Sequence, residues 1–261
     1  MSTQAIPLSA SIGPIRTSHN QTRYDIQFAK AHTLLGLLSN IKVVDQLLGG
    51  LKQDSVVLIT GSNIRLRAAE SYCLRAQLPE NHGGFDGPSL FIDGGNSFDV
   101  YLFTSIARAH GLDYREALDK LILSRAFTPY ELRQLICKDS HKVFRARRPR
   151  LLVVSDLFSL FEHDIETDEA ARITNKIAGS IIQARELRQV PIVMTAASVP
   201  EHLERFVDYA CNTRADFIED GRRVFARLLK HPTKPPMEVV AEVYRNYNQS
   251  LLSLRKVTAN G

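Results

Sequence analysis

The chain has 261 residues, 44% of them hydrophobic, a formal net charge of +5 at neutral pH and three widely spaced cysteines. A chain of this length buries a core without disulfides or metals, which excludes a cystine-stapled mini-scaffold and suits a reducing compartment. No apolar run approaches the ~20 residues that a membrane-spanning helix needs, and the basic balance permits contact with nucleic acid without demanding it.

Residues 1–23 are rich in Ser and Thr, hold no acid and read as a disordered polar tail; 24–248 read as one core domain and 249–261 as a C-terminal tail. A helix is predicted over 26–38. Val56–Thr60 (VVLIT) is a β-rich run after the turn at Gly49–Gly50, and Ala68–Gln77 reads as a helix. Ser89–Asp93 is a second strand, Ser97–His110 a helix stopped by Gly111, and Leu121–Ser124 a third strand. Thr128–Cys137 is helical, with Thr128 as N-cap and Pro129 at the first helical position. Leu151–Ser155 (LLVVS) is almost wholly apolar, as a strand buried on both faces must be. Thr167–Arg188 is a long helix with a stripe that includes Ile173, Ile177 and Ile181, and Pro191–Thr195 is a fifth strand. From Tyr209 the pattern changes to strands joined by short turns. Asp220–Gly221 reads as a hairpin turn, and Arg223–Leu229 and Met237–Val243 flank a Pro-rich turn. The fold class that follows is α/β: a mostly parallel twisted sheet flanked by helices, with antiparallel strands at the C-terminal edge.

Ligands of such sheets bind beyond the carboxyl ends of the strands, where Thr60–Gly61 precedes a helix. A phosphate-binding loop there reads G-x-x-x-x-G-K-[ST], because glycines let amides approach phosphates while Lys neutralises them and the hydroxyl reaches magnesium. This chain has Gly61-Ser-Asn-Ile-Arg-Leu-Arg-Ala68, without the second glycine or the Lys-Ser/Thr pair. Arg65 and Arg67 are its positive charges.

The stretch from Gln77-Leu-Pro through His-Gly-Gly84 to Ile92-Asp-Gly-Gly-Asn-Ser-Phe98 resembles the archaeal and eukaryotic RecA-like recombinases. Their pattern is Q-L-P, a Gly-Gly turn, a strand, then I-D-[TS]-E-[GN]-[TS]-F. Val44-Asp-Gln-Leu-Leu-Gly-Gly50, Ser124-Arg-Ala-Phe-Thr128, Ala210-Cys-Asn-Thr-Arg214 and His231-Pro-Thr-Lys-Pro235 resemble further family segments in the same order, over about Phe28 to Val243. The resemblance implies a RecA-like ATPase core. From the shortness and polarity of residues 1–23, the family's N-terminal helical domain is expected to have no counterpart here.

Set against the family pattern, the catalytic residues are replaced. Counted back from Gln77, Arg65 stands where the loop lysine belongs; counted forward from Gly61, Arg67 does. Gly95 takes the place of the catalytic Glu, and Ser155 that of the magnesium-orienting Asp, with Asp156 one residue on. Strand side chains alternate faces, so that shift is expected to turn the Asp156 carboxylate elsewhere. The family's T-N-Q is replaced within Thr195-Ala-Ala-Ser198. Four losses in one pocket point to abandoned hydrolysis, with degenerate Walker A and B motifs and no catalytic residues.

The family's first DNA loop is here the acidic Glu162–Glu169, and its second is reduced to roughly Ser198–Asp208. The basic run Lys142, Arg145, Arg147, Arg148 and Arg150 is either a DNA contact or a solvated connector. Phe28 and Ala31 match F-x-x-A, which the resemblance makes a partner interface; a core helix is the plainer reading of Phe28. Lys230, His231 and Pro232 fall in the segment that the family lays over a neighbour's ATP, and an exposed hairpin lysine is the alternative. The histidines show no metal-ligand spacing, and no metal is expected.

The resemblance as a whole implies a non-hydrolysing recombinase paralog. It would be one subunit of a heteromeric complex that assists recombinase filament assembly or remodelling in homologous recombination DNA repair. Its partners would be an ATPase-competent paralog and the recombinase filament, with DNA met through the complex and no membrane. No cofactor would be held tightly by this chain alone; ATP–magnesium, if held, would be shared at an interface. The location would be nuclear in a eukaryote and cytoplasmic in an archaeon. The rival readings are a divergent DNA-dependent ATPase using Arg65 or Arg67 as its loop cation, and a structural module outside DNA repair.

Overall fold

A computed structural model of the protein describes residues 36–161, 165–244 and 253–257. Its elements, in chain order, are α1 (Lys42–Leu48), β1 (Val56–Gly61), α2 (Ile64–Gln77), β2 (Ser89–Asp93), α3 (Val100–Ala109), α4 (Tyr114–Asp119), β3 (Leu121–Arg125) and α5 (Pro129–Gln134). There follow a wide π-turn (Leu135–Asp139), α6 (Ser140–Arg147), β4 (Leu151–Ser155), α7 (Thr167–Arg188), β5 (Ile192–Ala196) and α8 (Glu204–Ala210). The chain closes on β6 (Thr213–Asp220), β7 (Arg223–Lys230), β8 (Met237–Tyr244) and β9 (Ser253–Val257).

These strands form one sheet in the order β3-β2-β4-β5-β1-β6-β7-β8-β9. The pairs from β3 through to β6 are parallel, and those from β6 to β9 antiparallel. The expected architecture is therefore the one observed. Period-2 alternation divides the core into two layers. Val57 and Ile59 of β1 pack with α1, α2 and α3, whereas Val56 and Leu58 pack with α5, α6, α7 and α8.

Several boundaries follow from local chemistry. Thr128 caps α5 by accepting from the Glu131 amide at 3.1 Å, with Pro129 at the first position. Asp99 caps α3, accepting from the Tyr101 and Leu102 amides. Gly221, at φ 60°, turns β6 into β7. Three expectations need correction. The helix expected from Ala68 starts at Ile64, because Arg65 and Arg67 hide its first turn from an apolar count. The basic run is largely helix, α6, rather than a connector. Residues 253–257, placed in a tail by sequence, pair with β8 as an edge strand; one-sided pairing needs no buried alternation to mark it.

Candidate functional site

The carboxyl ends of β1, β2 and β4 bring Gly61, Asp93 and Ser155 toward one place, with Gly95 and Asp156 just beyond the strands. Gly61 ends β1 at φ 98°, and a β-carbon there would stand 2.0 Å from the Phe217 carbonyl oxygen, so only glycine fits. The Gly61 amide donates to Ala197 O at 3.1 Å and the Ser62 amide to Phe217 O at 2.7 Å. Since α2 opens at Ile64, only Ser62 and Asn63 join strand to helix. Two residues cannot encircle a phosphate with amides.

Helix α2 runs unbroken from Ile64 to Gln77, and Arg65 stands in its first turn, beside the end of β1. It is buried, with 9% of its surface exposed. Its Nε donates to Asp156 Oδ1 at 3.0 Å, its Nη2 lies 3.0 Å from the same oxygen, and its Nη1 donates to Gly61 O at 2.9 Å. Arg67, two residues on and so on a different face of α2, lies half-buried, where its charge favours the ionised form of Glu70.

Asp156 therefore does face the pocket, against expectation. Alternation governs residues inside a strand, but β4 stops at Ser155. Asp156 takes a left-handed φ of 46°, which turns its carboxylate back onto Arg65. Its amide donates to Thr195 Oγ1 at 3.0 Å. Gly95 abuts it and leaves no room for a side chain.

Asp93 organises the loop into α3. Its carboxylate accepts from the Ser97 amide at 2.9 Å, the Phe98 amide at 3.2 Å, Ser155 Oγ at 3.1 Å and Arg125 Nε at 3.2 Å. Burial pushes this carboxyl up, but the Ser97 and Phe98 amides with the Ser155 and Ser97 hydroxyls outweigh it and hold Asp93 below the ordinary value. Glu70 is the opposite case, and no sequence motif marks it. Burial pushes it up to about 8 although Asp99 N donates to its Oε1 at 2.9 Å; its Oε2 has no hydrogen-bond partner.

This set does not fit a magnesium nucleotide. Among the described residues no amide cradle forms, the Arg65 guanidinium is paired within the chain, and its carboxylate partner Asp156 is engaged by it.

The described residues after β4 and after β5 pack into the core; 162–164 lie outside the described residues. Phe158, just after β4, meets Phe206 of α8 edge to face at 5.6 Å between ring centres. Arg214 grips Glu204 through Nη1 at 2.7 Å and Nη2 at 3.2 Å. The segment after β5 is thus a packed helix, α8, with Leu203, Phe206, Val207 and Ala210 buried. Asp168 and Glu169 sit in the first turn of α7, as suits acids at a helix N-terminus.

The remaining predicted residues lie apart from this pocket. Lys230 Nζ donates to Asp208 O at 2.8 Å at the end of α8. His231 Nδ1 accepts from the Thr233 and Lys234 amides at 3.1 Å, and Nε2 faces Leu48 O at 3.2 Å. Lys234 Nζ donates to Leu47 O at 2.8 Å. Both lysines cap helix C-termini, so their placement is explained within the chain; Pro232 is exposed. Lys142, Arg145, Arg147, Arg148 and Arg150 are exposed on and after α6, beside the start of β4 and hence at the opposite end of the sheet from Asp156. Arg150 Nε donates to Phe85 O at 3.2 Å. Phe28 and Ala31 lie outside the described residues. Among the described residues no helix is long and apolar enough to cross a membrane.

Comparison with known proteins agrees with this geometry. The Rad51 family model matches residues 30–202, about two thirds of the chain. A meiotic recombination protein DMC1 homolog of Glycine max is 29% identical over 178 residues, 64% of this chain and 50% of that protein. The DMC1 homolog of Arabidopsis thaliana gives the same identity and coverage. DNA repair protein RAD51 of Mycosarcoma maydis is 28% identical over 139 residues, 52% of this chain and 41% of that protein. The matched stretch thus spans half or less of each relative's length. The extent of the family match, on a sheet of this order, shows that the chain belongs to the Rad51 family.

Proposed function

We propose that this chain is a non-hydrolysing member of its family that acts in homologous recombination and DNA repair. In this reading it is one subunit of a heteromeric complex with an ATPase-competent paralog, and the complex assists assembly or remodelling of recombinase filaments in the nucleus. The observation that carries the reading is the buried Arg65–Asp156 pair, at 3.0 Å, across the end of a strand-to-helix junction of two residues. A chain that has closed its own pocket this way needs a partner wherever ATP is used. Its similarity to a meiotic recombination protein homolog and to a DNA repair protein supports the process. A divergent ATPase using Arg65 as its loop cation is disfavoured, because that guanidinium is bound to Asp156 and Gly61.

In the same reading, ATP–magnesium belongs to the partner, and DNA contacts made by this subunit run through Lys142–Arg150. The test is affinity purification of the tagged chain from its own cells. The expected result is stoichiometric recovery of a second Rad51-family protein with an intact G-x-x-x-x-G-K-[ST] loop, whose ATPase depends on that lysine. Recovery of this chain alone, with ATPase activity that Arg65→Ala abolishes, would overturn the proposal.

A further inference from the structure

Helix α5, the π-turn and α6 form one continuous rod from Pro129 to Arg147. Its buried stripe is Leu132, Ile136, Ser140 and Phe144. Arg133, Lys138, Lys142 and Arg145 lie off that stripe, the first half-buried and the other three exposed. The rod crosses α7, and the Cys137 thiol reaches Lys176 O at 3.5 Å. Between rod and α7 lies a groove of about 470 Å³, open to solvent.

Its lining is distinctive in chemistry. Arg133, Lys138 and Lys176 supply three cations, Gln134, Gln183 and Ser180 supply amides and a hydroxyl, and among the described residues no acid or large apolar side chain takes part. The floor is empty at Gly179, where a β-carbon would meet nothing within 4 Å. Nearby acids are engaged: Asp139 pairs with Lys142 at 2.8 Å and accepts from Gln134 at 3.4 Å, and Glu169 pairs with Arg172 at 3.6 Å. A docked polypeptide needs an apolar or aromatic anchor in a desolvated pocket, which this groove lacks. Cations interspersed with neutral donors suit phosphate oxygens instead.

We propose that the groove between α5 and α7 binds a nucleic-acid phosphodiester backbone through Arg133, Lys138 and Lys176, with the cations of α6 continuing the track. The inference does not rest on pairing with an ATPase. It is also separable from the contact assigned to Lys142–Arg150, since the variants used alter Lys138, Lys176 and Gly179 and leave 142–150 intact.

The test uses the full chain, and its co-purified complex where one forms, with fluorescein-labelled single-stranded and duplex oligonucleotides titrated across a salt series. Replacing Lys138 and Lys176 together by Ala should flatten the slope of log affinity against log salt by about two on duplex. Gly179→Glu, which adds a negative charge where there is room, should weaken binding several-fold, and Gly179→Gln should not. Thermal melts check that each variant is folded; Gly179 lies inside a helix, so a side chain there raises helix propensity. Three results would overturn the proposal: wild-type affinity and salt slope in the Lys138/Lys176 variant; no binding of either oligonucleotide by the unaltered protein at low salt; or a loss of affinity in these variants for polyglutamate alone, which would make the groove a site for acidic polypeptide.

Discussion

A β-carbon at residue 95 would lie 2.4 Å from the β-carbon of Asp156, so the two positions compete for one space. A bare residue 95 and the inward turn of Asp156 are therefore two sides of one arrangement. Asp156 turns inward at φ 46°, and position 95 must be bare to admit it.

A double-mutant cycle measures that coupling. Gly95→Ala alone should destabilise the fold by about 1–3 kcal/mol through overpacking. In an Asp156→Gly background the cost should fall by at least ~1 kcal/mol, since the obstructing side chain is gone and glycine accepts the left-handed backbone. Urea midpoints of the four proteins decide it, and additive costs would contradict the shared space.

Glu70 should make stability depend on pH in the direction opposite to an ordinary carboxylate. Its pKa rises from an ordinary 4.5 to about 8 in the fold, so the folded chain keeps a proton that the unfolded chain releases. Stability is then highest below pH 4.5 as far as Glu70 is concerned, and is lost as pH rises toward 8. Glu70→Gln should remove this loss, on the order of 2–5 kcal/mol between pH 5 and 8. His231, held low by burial against its bond to Leu48, contributes with the opposite sign: its share is present above its ordinary 6.5 and lost as pH falls. Comparing unaltered protein with Glu70→Gln at each pH isolates Glu70. A constant difference from pH 5 to 8 would show the carboxyl to be ordinary.

Much of this architecture is legible in the residues. Leu151–Ser155 and Thr167–Arg188 match β4 and α7 to the residue, because an unbroken apolar run and a long isoleucine stripe leave no alternative period. The pocket was harder to read. Its members Gly61, Arg65, Gly95, Ser155 and Asp156 were identifiable by position, but their arrangement was not. A count of strand alternation cannot foresee a left-handed turn one residue past the strand. Nor does sequence say that Arg65 is an arginine that reaches Asp156. Lys230 and His231 bind Asp208 and Leu48, the latter 183 residues away, a contact that only the closed sheet creates. Glu70 had no signal beyond being an acid on a helix most of whose residues are buried.

The segment after β5 should behave as core rather than as a mobile loop. Phe206 is 3% exposed and meets Phe158 edge to face, so Phe206→Ala should destabilise by about 3–5 kcal/mol. Tyr209, on the same helix and 71% exposed, should tolerate Ala within about 0.5 kcal/mol. Equal urea midpoints for the two variants would show that α8 is not packed as described.

The central claim is that the Arg65–Asp156 pair closes the pocket against nucleotide. Ligand binding to the folded state raises stability by about 2.7 kcal/mol at a hundredfold excess over Kd. The most direct measurement is therefore the thermal midpoint of the purified chain across an ATP–magnesium series reaching millimolar concentration. The account predicts no shift in the unaltered protein. A midpoint that climbs by several degrees with ATP–magnesium, and no longer does so in Arg65→Ala, would show that Arg65 holds nucleotide and would contradict it.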